Sequence, residues 1–149
     1  VHLDEVTARI RSAWGLQRSG GRIQAAVERA AVAAEAQGAV VREEEFLTAP
    51  GATIEVRDRS FVASANLRRP EMLPPAEIQV GFLRAVADHL GATDDEVAVT
   101  TLRAFGFKAA SSPAKDTIAR QLRALVDEGK VARSGDLIVI ASTSSEGSP

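Results

Sequence analysis

Cysteine and tyrosine are absent from this 149-residue chain, and tryptophan and methionine occur once each. Without cysteine there is no disulfide framework and no thiolate chemistry. The only histidines are His2 and His89, and neither has a Ser, Cys or Asp partner at a recognisable spacing, so both read as surface residues. No apolar run approaches the roughly 20 residues of a membrane span, and no signal-peptide pattern opens the chain. There is no phosphate loop of the form G-x-x-x-x-G-K-[ST], and no carboxylate–lysine cluster of the nuclease kind. The net charge of -2 gives no electrostatic argument for nucleic acid. These absences lead us to expect a cytoplasmic, non-enzymatic protein with no cofactor, no metal and no membrane contact.

What is present is a repeat. Shifted by 91 positions, Asp4-Glu5-Val6 falls on Asp95-Glu96-Val97, Trp14-Gly15 on Phe105-Gly106, Arg29 on Arg120, Gly38 on Gly129 and Arg42 on Arg133. Val27 with Ile118 and Phe46 with Leu137 hold the apolar register between these anchors. The two copies do not read as a solenoid array but as one small module used twice.

Within the first copy, Leu3, Val6, Ile10 and Trp14 follow the spacing of one helical face, and Gly15 ends it. A second helix is expected from about Arg22 to Gln37, with Ile23, Val27, Ala30 and Ala34 inward. A hairpin around Glu43-Glu44-Glu45 follows, and residues 53–56 add a third short strand. In the second copy, Ser112 reads as an N-cap before Pro113, and Ile118, Leu122 and Leu125 line the inner face. Gly129 stops that helix, and a hairpin turns at Ser134-Gly135. Ahead of this copy, Pro74-Pro75 opens another helix whose Ile78, Phe82, Val86 and Leu90 recur every four residues.

Helix, helix, turn, helix and hairpin is the order of a winged helix-turn-helix. The expected fold is therefore mainly α with small β-wings, as two tandem winged helix-turn-helix units. The first unit spans 1–56 and lacks its initial helix, which by the same offset would precede Val1. A linker covers 57–75, the second unit 76–141, with helices near 76–90, 94–105 and 113–128, and a disordered tail 142–149. A fragment of a longer protein is the corresponding expectation.

The run Trp14 to Ile23 with Arg18 and Arg22, then Val41-Arg42 and Phe46-Leu47, the linker Val56-Arg57-Asp58-Arg59 and the stretch Arg69 to Ile78 carry a resemblance. Together they resemble an uncharacterised C-terminal domain of large bacterial superfamily-one helicase-like proteins, often with a Vsr-like nuclease domain upstream. The resemblance spans residues 2–140. It implies an accessory module of a nucleic-acid motor without the motor's own chemistry. In the second copy Ala109, Ser111 and Pro113 stand where Arg18, Gly20 and Arg22 stand in the first, so a role for those arginines need not occur twice.

The start of the last helix of a helix-turn-helix enters the major groove. There the first copy carries Arg18, Arg22 and Arg29, and the second Lys108, Lys115, Arg120 and Arg123, with Arg133 on its wing. Arginine suits bidentate contact with guanine or phosphate, and free N–H groups at a helix start favour phosphate. Glu43, Glu44 and Glu45 on the first wing oppose a phosphate backbone. The bland alternative is a solvated face with local ion pairs such as Glu28 with Arg29. Asp94-Asp95-Glu96 reads as a helix start that complements its dipole rather than as a metal site. Trp14 and Phe105, at equivalent places, read as core rather than as stacking platforms. The expected partners are nucleic acid, DNA before RNA, and other domains of the parent protein. The alternative is a protein-interaction or homodimer module using the same winged-helix surfaces.

Overall fold

The computed structural model describes residues 1–18 and 20–141, and it is mainly helical with two small antiparallel hairpins. The chain divides into two compact units, Val1–Thr53 with Ala63–Pro74, and Ile54–Val62 with Pro75 onward. The segment read as a linker is thus shared between them. The expected tail lies outside the described residues.

In the first unit, α1 (Leu3–Ala13) and α2 (Gly21–Ala36) precede the hairpin β1 (Val41–Glu43) and β2 (Phe46–Thr48). His2 caps α1: the Asp4 N–H donates to His2 Nδ1 at 3.0 Å, and the imidazole stands edge-on to Phe46 at 5.0 Å. This corrects the expectation of a surface histidine, since its side chain is only 14% exposed. A short bridge pairs His2 with Phe46 and adds a third pairing to the hairpin. Leu3, Val27 and Ala31 form the core, with Val6, Ile10, Ile23 and Leu47 packed around them. Ala31, not Ala30, is the buried alanine of α2. Residues 53–56 form no strand, and Ala63–Pro74 contributes two short 3-10 turns at Ala65–Arg68 and Pro70–Met72.

The second unit holds α3 (Pro75–Asp88), α4 (Asp94–Ala104), α5 (Ser112–Asp127) and the hairpin β3 (Val131–Ser134) and β4 (Leu137–Ile140). Its core is larger. Ile78, Phe82, Val86, Val97, Leu102, Phe105, Ile118, Leu125 and Ile138 are buried, each contributing roughly 1.5–3 kcal/mol over an exposed side chain. Leu90 departs from the expected face: α3 ends at Asp88, Leu90 takes a left-handed φ of 53°, and it is 92% exposed. Thr93 and Glu96 start α4 with reciprocal hydrogen bonds, a capping box that satisfies two orphan donors. Ser111, not Ser112, is the N-cap of α5, and its side chain makes no cap bond. Ala92 pairs with Ile138 and gives this hairpin its own third pairing.

Moved by 91 positions, α1 coincides with α4 and α2 with α5 at both ends. The left-handed residues follow the same shift: Gly15 on Gly106, Gly38 on Gly129 and Glu44 on Gly135. The hairpins keep the correspondence in their pairing: Arg42 with Leu47 moves onto Arg133 with Ile138, and Val1 bonds Leu47 as Ala92 bonds Ile138. Burial alone differs: Phe46 is buried while its counterpart Leu137 is 42% exposed.

Candidate nucleic-acid interface

The region at the start of α2 is built from a tight turn and a bare helix end. Gly15 ends α1 at a φ of 64° and lets the chain reverse toward α2. Gly20 is the N-cap; it offers no capping side chain, and no acidic residue stands in the first turn. A β-carbon at Gly20 or Gly21 would meet nothing within 4 Å. Among the described residues, the backbone N–H groups of Gly21 and Arg22 have no partner, whereas those of Ile23 and Gln24 donate to the Gly20 carbonyl, so the helix start can receive an anion.

Arg18 and Arg22 flank this end and Arg29 lies farther along α2; all three are exposed, and none forms an ion pair or side-chain hydrogen bond among the described residues. Arg22 and Arg29 are two helical turns apart, so they project from one face about 10 Å from each other. Glu28 is engaged elsewhere, gripping Arg42 of β1 at 2.6 Å and not Arg29. That hydrogen bond raises the affinity of Arg42 for its proton above the usual arginine value.

The second unit is arranged otherwise. Lys115 pairs with Asp95, and Arg133 forks onto Asp94 with both N···O distances at 2.9 Å. Through those bonds the Arg133 pKa rises above its ordinary value. Arg120 donates to Thr117 Oγ1 at 3.3 Å. Lys108 and Arg123 are exposed and unpaired among the described residues. Asp94 and Asp95 thus serve as counterions for two of the basic side chains expected to meet nucleic acid, besides complementing the α4 dipole. Lys130 pairs with Glu128 at 2.6 Å.

The repeat also produces two matching clefts between the helices of each unit. One of about 230 Å³ is lined by Asp94, Asp95, Ala98, Lys115 and Ile118; its counterpart of about 240 Å³ by Leu3, Asp4, Thr7, Gln24 and Val27. Neither holds a histidine or a nucleophile beside a base, and no group of residues among those described could hold a metal ion. No helix among the described residues is long and apolar enough to cross a membrane.

Sequence reasoning missed one polar cluster. In the former linker, Arg57 and Arg59 both grip Glu77 of α3, with Arg57 Nε to Oε1 at 2.8 Å and Arg59 Nη2 to Oε2 at 3.0 Å. Its signal was faint: two arginines two apart, facing a glutamate some twenty positions on.

A family model described as a protein of unknown function (DUF3320) matches residues 1–25, and the chain is similar to that family over α1, the turn and the start of α2. No curated protein and no solved structure matches the chain significantly.

Proposed function

We propose that this chain is a non-enzymatic nucleic-acid-binding module, built as two tandem winged helix-turn-helix units and serving a helicase-like parent protein. In this reading the start of α2 takes the phosphate backbone of DNA. The element order supports it: in the second unit α3, the strand-like Ala92, α4, α5 and a hairpin follow one another as in a winged helix. The observation that carries the proposal is the set Arg18, Arg22 and Arg29, exposed and unpaired among the described residues, running from the turn before α2 along its first half, where Gly20 offers no capping side chain. The acidic wing at Glu43, Glu44 and Glu45 stays clear of the backbone, so contact runs through the helix start.

Fluorescence anisotropy with a labelled DNA duplex tests the reading. Binding is expected to be weak at low salt and to fade as salt rises. The triple substitution Arg18→Ala, Arg22→Ala and Arg29→Ala should reduce the salt slope by roughly 2 to 3, because each lost phosphate contact removes about 0.9. Replacing Lys115 and Arg133, already neutralised by Asp95 and Asp94, should change it little. Absence of binding to duplex at low salt would refute the proposal.

A further inference from the structure

The second unit shows what surrounds the aromatic end of its α4. A β-carbon added at Gly81 of α3 would meet Thr101 Cγ2 at 3.4 Å and Phe105 Cε2 at 3.6 Å, so α3 packs closely there. The Arg59 guanidinium carbon stands 5.2 Å from the Phe105 ring centroid, and Phe105 is 0% exposed. Gln79 of α3 donates to Gln121 of α5 at 3.2 Å. The same places in the first unit are Ile10, Trp14 and Ala30. Trp14 is 68% exposed, Ala30 is exposed and Ile10 only half-buried. Sequence reasoning placed Trp14 in the core, and this is its correction.

The first unit has no α-helix beyond α1 and α2 among its described residues, and only the short turns of Ala63–Pro74 stand in for α3. The turns of Ala63–Pro74 lie beside Asp4, Thr7 and Arg11 of α1, around a cleft of about 320 Å³. On a helix those residues form the face next to Ile10 and Trp14, so the indole edge is left open. Leu16, 43% exposed, extends the apolar strip.

We propose that the strip of Ile10, Trp14, Leu16 and Ala30 is a docking surface for an amphipathic helix of α3's chemistry, supplied by a partner segment. The repeat specifies that occupant. It carries apolar residues four apart, as Ile78, Phe82 and Val86 are, and a glycine or alanine where Gly81 stands, because the indole is bulkier than the phenyl ring it replaces. This is recognition of a helix in a groove, in which the apolar face supplies affinity and the small residue supplies fit. The proposal is independent of DNA binding, since it uses none of Arg18, Arg22 or Arg29.

Trp14 is the only tryptophan, so its emission reports this strip alone. A synthetic peptide of residues 75–90 titrated into the full chain is expected to shift that emission to the blue and to saturate. Ala30→Glu, with its folding checked by circular dichroism, should weaken the peptide at least tenfold, about 1.4 kcal/mol. A peptide carrying Gly81→Leu should weaken comparably. No shift, an equal shift with a scrambled peptide, or unchanged affinity in Ala30→Glu would each overturn the proposal. A blue shift on concentrating the chain without peptide would overturn it too, by making a second copy the occupant.

Discussion

Removing the Glu77 carboxylate should be among the most damaging single changes in the second unit. Its side chain is 7% exposed and that of Arg59 10%, whereas Arg57 is 47% exposed. Arg59 also donates to the Arg57 carbonyl at 2.8 Å, which fixes the guanidinium in place. In Glu77→Ala the Arg59 charge would stay buried without a counterion, costing about 3–5 kcal/mol. The loss of Arg57's contact adds less, because an exposed pair is worth about 0–1 kcal/mol. Against a total stability of roughly 5–15 kcal/mol, this removes about a fifth of the margin or more. The double substitution Arg59→Leu with Glu77→Leu removes both charges and leaves apolar groups of similar reach. It forgoes the cation–π contact with Phe105, worth about 0.5–2 kcal/mol, and should otherwise be close to neutral. The two changes should therefore couple by about 2 kcal/mol or more in a double-mutant cycle. Urea unfolding followed by circular dichroism at the helical signal measures Glu77→Ala, the two single leucine variants that complete the cycle, and the double variant. A Glu77→Ala unfolding free energy within about 1 kcal/mol of wild type would refute the buried-charge argument. So would a double variant as unstable as the single one.

The repeat supplies a matched pair for a second experiment. Gly106→Ala would place a β-carbon 2.6 Å from the Ser60 N–H nitrogen and nearer still to the Asp58 carboxylate, at a φ of 86°. Gly15→Ala has a φ of 64° and nothing within 4 Å, so it should cost only the left-handed strain of about 1–2 kcal/mol. Thermal melts should show Gly106→Ala as clearly the worse of the two, and equal effects would contradict the close approach. Acid should weaken the second unit through Glu96 and Asp58. The Thr93 and Ser60 N–H groups, respectively, donate to these carboxylates and hold their pKa values below the usual range. A depressed folded pKa adds stability above the unfolded value, and that stability is lost as pH falls through the folded value. Melting temperature should therefore drop on acidification from about pH 7 to about pH 2, and Glu96→Gln should flatten part of that drop. An unchanged acid limb in Glu96→Gln would refute the assignment.

Local signals were enough to delimit most helices. Apolar spacing marked α1, α2, α3 and α5, glycines at left-handed positions marked the ends of α1, α2 and α5, and the shift of 91 related one copy to the other. These features depend on neighbours within a turn or two, which is why a single sequence carries them. Of the inward faces, Ile78, Phe82 and Val86 and the trio Ile118, Leu122 and Leu125 are buried as their spacing implies, and Leu90 is not, because α3 ends before it. Burial within the hairpins was decided elsewhere: both pair in the same register, yet Phe46 stands against His2 and is buried while its counterpart Leu137 is 42% exposed. The candidate interface was half legible. Arg18, Arg22 and Arg29 could be named from sequence, but the neutralisation of Lys115 and Arg133 required α4 to meet α5 and β3. Trp14 and Phe105 make the same point with one pattern and two outcomes. Periodicity determines which side of a helix is apolar; only the tertiary structure decides whether anything lies against it, because the covering element comes from another part of the chain.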